Sequence, residues 1–168
     1  VLSRMLETSG GGAATPGPFC IESARCKSAE TTEGVPMRRS IATVSLSGTL
    51  RQKLEAIAAA RFDGVELFEP DFISFTGSAR ELRQQAADLG LGIDLYQPFR
   101  DFEGMPDELF RRSLDRAERK FDVMQELGCP LMLVCSNTSP ASLGDAERAA
   151  AQLHELAERA SRRNLRIG

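Results

Sequence analysis

The sequence has few of the residues, and none of the spacings, that most often mark a zinc or redox site. It has 168 residues with no tryptophan, one tyrosine and one histidine, His154. No Cys-x-x-Cys pair occurs, and a single histidine excludes a zinc site of the usual cysteine and histidine spacing. Because Cys129 and Cys135 flank an apolar stretch, we expect both to be reduced core residues; the other two cysteines are Cys20 and Cys26.

The sequence also lacks a long apolar run and a strong charge of either sign. No apolar run approaches the ~20 residues that cross a bilayer. The net charge of −3 favours neither nucleic acid nor an anionic membrane as a partner. A content of 42% hydrophobic and 27% charged residues is ordinary for a globular protein. We therefore expect a cytoplasmic protein without a nucleic-acid or membrane partner.

Residues 1–36 lack both helical and strand periodicity. They are rich in glycine, proline, serine and threonine, and they contain no continuous apolar core of a signal peptide. Arg38 and Arg39 resemble a twin-arginine signal, but an alternating apolar pattern follows them and no small-residue cleavage site does. We interpret residues 1–36 as a disordered leader, with Met37 as the candidate natural start and residues 37–168 as the folded domain.

From Ile41 onward, strand and helix periodicity alternate along the chain. Capping boxes predict helices that begin after Thr49 and Ser78, each with a Gln or Glu three residues later. A third helix is predicted from Pro106 to a stop at Gly128, with the apolar stripe Phe110, Leu114, Ala117, Phe121 and Met124, and a fourth over 145–163. The predicted strands are 41–47, 64–69, 92–99, 131–137 and 165–167.

This repetition of strand and helix predicts an α/β fold with parallel strands. A doubly wound open sheet and a (β/α)8 barrel both fit. No GxGxxG or P-loop follows any strand, which removes the main support for a nucleotide-binding sheet. A barrel needs ~250 residues. From Met37 the chain holds about four βα units plus the start of strand five, so we predict a partial (β/α)8 TIM barrel.

Polar residues gather at the predicted carboxyl ends of the strands, where both architectures place their chemistry. The opposite ends carry plain connectors. The polar residues are Ser45 and Ser47, Glu66 and Glu69, Gln97, Arg100 and Asp101, and Ser136 and Asn137. This asymmetry is typical of an active site.

Four of these side chains are our candidates for substrate binding: Glu69, Gln97, Arg100 and Asn137. Strand alternation puts Glu66 and Glu69 on opposite faces, and we favour Glu69 for the site. The guanidinium of Arg100 suits a two-pronged grip on a carboxylate or phosphate. We expect structural roles for Asp101, Glu103 and Tyr96 nearby. We expect a structural or surface role for His154, which lies in a predicted helix far from any strand end.

Four segments together resemble the N-terminal half of bacterial 3-dehydroshikimate dehydratases. They are "RSIATVSLSGTLRQKLEAIAAARFDGVELFEPDF", "QPFRDFEG", "LDRAERKFDVMQELG" and "LVCSN". The resemblance runs from Met37 to Gly168. "FDGVE" is common to the wider sugar-phosphate isomerase/epimerase superfamily, whereas "QPFRDFEG" followed by "LDRAERKFD" is specific. The fold it implies is the xylose-isomerase-like TIM barrel.

The resemblance implies a metal-dependent lyase that dehydrates 3-dehydroshikimate to protocatechuate in quinate and shikimate catabolism. A divalent metal ion such as Mg, Mn or Co would stabilise an enolate as Lewis acid. The family's metal ligands come from strands five to eight, so we expect them and the catalytic residues beyond Gly168, and we assign no metal ligand within this chain. Glu69, Gln97 and Arg100 would form the first-half wall of the pocket, with Arg100 facing the substrate carboxylate.

Two alternatives stay open. A sugar-phosphate isomerase or epimerase on the same barrel would use Arg100 for a phosphate. A partial gene product that binds nothing is the other. The resemblance also implies that a dioxygenase-like domain follows the barrel in the full-length form. Because a half barrel exposes unpaired strand edges, we expect the 168-residue chain by itself to be inactive and poorly soluble.

Overall fold

The structure is a computed structural model that describes residues 37–168; the predictions made for residues 1–36, Cys20 and Cys26 included, lie outside this part of the chain. Its strands are β1 (Ser40–Ala42), β2 (Gly64–Phe68), β3 (Gly92–Phe99), β4 (Leu131–Val134) and β5 (Arg166–Ile167). Its α-helices are α1 (Leu50–Ala59), α2 (Glu69–Ile73), α3 (Ala79–Asp88), α4 (Asp107–Leu127) and α5 (Ala146–Arg162).

The five strands form one parallel sheet in the order β1-β2-β3-β4-β5. Each strand therefore lies next to its neighbours in sequence, as in the first part of a (β/α)8 barrel. A doubly wound sheet reverses its strand order at a switch point, and residues 37–168 contain no such reversal. The predicted partial barrel is thus favoured over the open sheet.

The core lies between the sheet and the helices. On β2, Val65 and Leu67 are buried among the core residues. Glu66 and Phe68, which alternate with them along the strand, are only half-buried. The face of the sheet that carries Glu66 and Phe68 therefore lies away from the helices, and we call it the open face. From α4, the predicted residues Leu114, Ala117, Phe121 and Met124 are buried and Phe110 is half-buried.

Both predicted capping boxes are present. The Thr49 hydroxyl accepts from the Gln52 amide at 3.4 Å, and the Gln52 side chain accepts from the Thr49 amide at 2.9 Å. Ser78 and Glu81 make the same reciprocal pair at the start of α3. At the end of α4, Gly128 has a φ of 68°, the left-handed conformation expected of a glycine cap.

The first strand is shorter than the predicted 41–47. It ends at Ala42, and Thr43–Ser45 form a 3-10 turn. Thr43 is fully buried, and its hydroxyl accepts a hydrogen bond from the backbone amide of Phe68 at 3.0 Å. A side-chain oxygen thus takes the position of a backbone acceptor, which releases the main chain from the sheet. The prediction of a strand through Ser47 is wrong for this reason.

The second strand stops at Phe68, one residue earlier than predicted, because a short helix begins at Glu69. Helix α2 has a proline in its first turn and acidic residues at Glu69 and Asp71. Acids are favoured near the positive end of a helix dipole, and proline is pre-formed for the first turn. Proline and acidic residues also mark the start of α4. The sequence therefore contained a signal for α2, although this helix was not predicted.

The third and fourth strands depart from simple alternation. In β3 the buried residues Ile93, Tyr96 and Phe99 are three apart, and the pairing register shifts against both neighbouring strands. β4 ends at Val134 rather than at Asn137. The amide of Asn137 donates to the Glu103 carboxylate at 2.5 Å instead of to a neighbouring strand.

Candidate substrate-binding site

Glu66 and Gln97 form a polar pair on the open face of the sheet. The Gln97 side-chain amide donates to Glu66 Oε2 at 3.2 Å, which joins β2 to β3 near their carboxyl ends. Gln97 is paired in register with Phe68, and Glu66 with Leu95. All four of these residues are half-buried, in contrast to the fully buried Leu67 and Tyr96 on the helix side. The predicted site residue Gln97 therefore does lie on the open face.

Glu69 lies on the opposite side, among the helices. It forms an ion pair with Lys120 of α4 and accepts a hydrogen bond from the Tyr96 hydroxyl at 3.1 Å. Burial and the nearby Glu69 carboxylate raise the pKa of Tyr96 far above its usual range. The sequence-based choice of Glu69 over Glu66 for the open face is wrong. Strand alternation correctly separates Glu66 and Glu69, but it does not tell which of the two faces meets the helices.

Arg100 follows β3 with a fixed backbone and an exposed side chain. Its carbonyl oxygen accepts from the Arg116 guanidinium at 2.7 Å, and the Asp101 carbonyl accepts from Arg116 at 3.3 Å and from the Ser113 hydroxyl at 3.4 Å. Within residues 37–168 the Arg100 guanidinium itself makes no hydrogen bond or ion pair, so all its donors are available to a ligand. Sequence reasoning found Arg100 but missed the role of Arg116, which reads as one more charge on a solvated helix.

Asn137 connects two loops. Its backbone amide and side-chain amide donate to Glu103, to the carboxylate and the carbonyl oxygen respectively, each at 2.5 Å. Its side-chain oxygen accepts from the Ser139 amide at 2.8 Å. The structure thus commits Asn137 to the contact between the β3–α4 loop, residues 100–106, and the β4–α5 loop, residues 135–145. Glu103 has the structural position that the sequence predicted for it.

The β3–α4 loop is held by α5 as well. The buried Gln152 side chain donates to the Met105 carbonyl at 2.7 Å and accepts from the Met105 amide at 3.0 Å. Leu143 of the β4–α5 loop donates its amide to the Gly104 carbonyl at 2.8 Å. Sequence reasoning missed Gln152, because a glutamine inside an alanine-rich helix carries no signal of a buried contact. The loop that presents Arg100 is therefore anchored on three sides.

The histidine and two of the four cysteines lie in the described part of the chain. His154 is exposed on α5, 3.5 Å from Glu158. Cys129 is buried and Cys135 half-buried, both as free thiols, and burial raises the pKa of Cys129 to about 11. Among residues 37–168, no three His, Cys, Asp or Glu side chains come together as a metal site. Nor is any helix in this part of the chain both long and apolar enough to cross a membrane.

A parallel sheet in sequential order, with polar side chains at the carboxyl ends of its strands, is the arrangement of a TIM barrel. Residues 54–168 match the profile of the family described as xylose isomerase-like TIM barrel. The chain belongs to the xylose isomerase-like TIM barrel family. The partial-barrel fold predicted from the sequence is thereby confirmed.

Two similar members of this family agree with the resemblance seen in the sequence. A Pseudomonas putida protein named 3-dehydroshikimate dehydratase is 61% identical over 132 residues, which cover 79% of this chain and 21% of that protein. A solved structure described as a xylose isomerase-like TIM barrel/4-hydroxyphenylpyruvate dioxygenase fusion protein is 61% identical, with a TM-score of 0.77 and the same coverage. The chain thus spans about a fifth of the length of these relatives.

A more distant structure shares only the fold. It is described as IOLI protein with a binding zinc atom, and it is 13% identical with a TM-score of 0.67. It covers 79% of this chain and 50% of its own length. In a TIM barrel the active site lies at the carboxyl ends of the strands. Of the four residues predicted to bind substrate, Gln97 and Arg100 lie there with groups free to meet a ligand.

Proposed function

We propose that this chain is part of a lyase that converts 3-dehydroshikimate to protocatechuate and water. The observation that carries the proposal is the 61% identity over 132 residues to a relative of that name. The free guanidinium of Arg100 supports it, because the substrate and the product each carry one carboxylate. A planar guanidinium binds a carboxylate through two parallel hydrogen bonds.

In this proposal the chain's residues bind and orient the substrate. Arg100 holds the carboxylate, and the anchored carbonyl of Arg100 fixes the backbone from which its side chain extends. The half-buried Gln97 lines the open face beside the ring of the substrate. Asn137 acts indirectly by joining the two loops around the site. Glu69 supports the helix layer through Lys120 and Tyr96 and is not assigned to the substrate.

We propose a divalent metal ion as the cofactor of the full-length protein. Such an ion supplies Lewis-acid stabilisation of an enolate. No set of three His, Cys, Asp or Glu side chains within residues 37–168 fits it, so we assign no ligand and no step of the reaction to it in this chain. The bound zinc in the IOLI structure concerns a protein of the same fold and supports only the general idea of a metal.

Turnover by the full-length protein tests the reaction. Incubation with 3-dehydroshikimate and each of Mg²⁺, Mn²⁺ and Co²⁺ in turn should produce the absorbance of protocatechuate. The matched control is the same mixture with a chelator. If none of the three ions supports product formation, the proposed reaction is rejected.

The variant Arg100→Ala tests the role given to Arg100. Loss of a hydrogen-bonded ion pair should raise the KM for 3-dehydroshikimate by about 10- to 100-fold. The exposed Arg111 of α4 makes no ion pair within the described part of the chain, so Arg111→Ala is the control and should leave the KM unchanged. An unchanged KM in Arg100→Ala would remove Arg100 from the site.

A second candidate function is a sugar-phosphate isomerase or epimerase on the same barrel. It is favoured by the same free guanidinium, since arginine binds phosphate as well as carboxylate. Sugar phosphates incubated with the full-length protein and a divalent ion would then isomerise, and 3-dehydroshikimate would not react. The two candidates therefore give opposite results in the same pair of assays.

Two further features complete the proposal. We place the full-length protein in the cytoplasm, where free thiols such as those of Cys129 and Cys135 stay reduced. Cell fractionation tests this location. We also propose that a dioxygenase-like domain follows the barrel, as in the fusion protein to which the chain is similar. The mass of the natural protein tests that arrangement.

A further inference from the structure

We propose that Glu66 determines how the ligand lies in the site. It fixes the Gln97 side chain so that this part of the open face offers hydrogen-bond acceptors, and it thereby selects a ligand that has hydroxyl donors at one end and an anionic group at the other. The proposal rests on the proposed function, because it refines the ligand class of the same site.

The first step is the orientation of Gln97. A carboxylate accepts hydrogen bonds and donates none, so the group that faces Glu66 must be the NH₂ of Gln97, as the 3.2 Å contact to Glu66 Oε2 requires. The side-chain oxygen of Gln97 is then left for another partner. Within residues 37–168 this oxygen and Glu66 Oε1 accept no hydrogen bond. Glu66 and Gln97 therefore present two free acceptors side by side.

The second step is the charge distribution. Glu66 forms no ion pair with a cation in the part of the chain that the structure describes. An anionic group placed beside it would meet a like charge at short range with no cation between them. Arg100 lies three residues after Gln97 and has an unpaired guanidinium, so it attracts the same group. The charges of Glu66 and Arg100 thus favour the ligand orientation that places the anionic group at Arg100, and they disfavour the reverse orientation.

The third step is the ligand class. Hydroxyl groups on a carbon skeleton are donors, and they match the free oxygens of Glu66 and Gln97. A carboxylate matches Arg100. A hydroxylated ring acid such as 3-dehydroshikimate has both features at opposite sides of its ring. A ring acid without hydroxyl groups satisfies Arg100 alone, because it leaves the half-buried acceptors unpaired, and this is the situation that gives polar sites their selectivity.

Binding measurements on the full-length protein test the role of Glu66. The probes are shikimate and 1-cyclohexene-1-carboxylate, which share the ring carboxylate but differ in hydroxyl groups. We expect the wild type to prefer shikimate by calorimetry. Glu66→Gln should lower that preference by about tenfold, because a neutral amide replaces a charged acceptor and no longer fixes Gln97. The loss should appear in the Kd of shikimate and not in that of the unhydroxylated acid.

Glu69→Gln is the matched control. It removes a carboxylate three residues away that faces the helices, so it should lower the melting temperature and leave the preference for shikimate intact. Gln97→Ala provides a second variant in case Glu66→Gln does not fold, and it should lower the preference in the same direction. A preference that stays unchanged in Glu66→Gln, or in Gln97→Ala if that variant is used, overturns the proposal.

The two proposals fail in different ways. If the wild type prefers shikimate and Glu66→Gln does not, but 3-dehydroshikimate gives no protocatechuate, the reaction is overturned and the role of Glu66 stands. If protocatechuate forms and the preference is the same in wild type and Glu66→Gln, the reaction stands and the role of Glu66 is overturned. A wild type that does not prefer shikimate overturns the role of Glu66.

Discussion

Arg116 holds the backbone of Arg100, the residue that we propose to bind the substrate carboxylate. Its guanidinium lies over the Phe99 ring, 5.2 Å from the ring centroid, and donates to the carbonyl oxygens of Arg100 and Asp101. The Asp101 backbone has a φ of 55°, in the left-handed region that costs free energy for most residues. Arg116 therefore helps to hold this backbone conformation, and with it the point from which the Arg100 side chain extends.

The first residue-scale prediction concerns the variant Arg116→Ala. Loss of its two hydrogen bonds to the loop should raise the KM of the full-length protein for 3-dehydroshikimate by about fivefold, at about 1 kcal/mol for one net hydrogen bond. The kcat should change less, because Arg116 does not reach the reacting atoms. Steady-state kinetics check this. The control is Arg111→Ala on the same helix; equal effects of the two variants would contradict the positioning role.

The second residue-scale prediction concerns alkaline pH. Burial raises the pKa of Cys129 from 9.0 to about 11, so the unfolded chain loses this proton first as the pH rises. The contribution of Cys129 to stability is therefore complete below pH 9 and is lost between about pH 9 and 11. Tyr96, with its raised pKa, adds a loss that begins near its ordinary value of 10.0.

Urea unfolding between pH 8 and 11 checks this prediction. The free energy of unfolding should fall with pH, and the fall between about pH 9 and 10 should be shallower in Cys129→Ala, which has no thiol to ionise at this position. Val65→Ala is the control at a buried position without an ionisable side chain and should keep the slope of the wild type. A slope that is the same in all three proteins would contradict the assignment to Cys129.

At the scale of elements, the helix ends were predictable from the sequence because they depend on neighbours within four residues. The capping boxes at Thr49 and Ser78 and the left-handed Gly128 follow local rules, and all three are present. The end of β1 was not predictable, because it depends on a hydrogen bond that Thr43 accepts from the backbone amide of Phe68, 25 residues later. The alternation of apolar and polar residues along a strand cannot reveal such a contact.

The candidate site was predictable to a similar extent. Gln97 lies near the end of β3 and Arg100 follows that strand, and the general rule for parallel sheets places both at its carboxyl end. The choice between Glu66 and Glu69 failed because alternation separates the two residues but does not tell which face of the sheet packs against the helices. The position of Asn137 depends on Glu103 in another loop. Contacts between distant elements therefore decide which polar residues face a ligand and which hold loops together.

The element-scale prediction compares two glycines that end helices. Gly90 and Gly128 both have positive φ, at 74° and 68°. A Cβ added at Gly90 would meet no atom within 4 Å, whereas one at Gly128 would lie 2.8 Å from Arg83 Nε. Gly90→Ala should thus cost only the backbone strain, about 1 kcal/mol, and Gly128→Ala should cost slightly more, because the exposed Arg83 side chain must also move aside. Urea unfolding measures both; a larger loss in Gly90→Ala would contradict the argument.

At the scale of the whole molecule, the open face of the sheet is the main consequence of the partial barrel. Phe68 and Leu95 lie there half-buried beside Glu66 and Gln97. Parallel sheets are ordinarily covered on both faces, and an exposed strand edge is a template for pairing with other chains. The number of predicted strands led to the expectation of a half barrel with unpaired strand edges.

The whole-molecule prediction is that the 168-residue chain by itself gives no protocatechuate from 3-dehydroshikimate and associates in solution. The full-length protein is the control and should be active and better dispersed. Size-exclusion chromatography with light scattering measures association, and product absorbance measures turnover. A monomeric 168-residue chain with turnover would contradict both parts of the prediction.

The sequential strand order has a consequence for how the protein is made. From β2 onward, each strand pairs with the strand that precedes it in the chain. The preceding strand has therefore already left the ribosome when the next one emerges. The contacts of each new strand and helix are then with segments synthesised shortly before, which keeps the loops that must close during folding short. Folding of this segment can therefore proceed in the direction of translation, one strand and helix at a time.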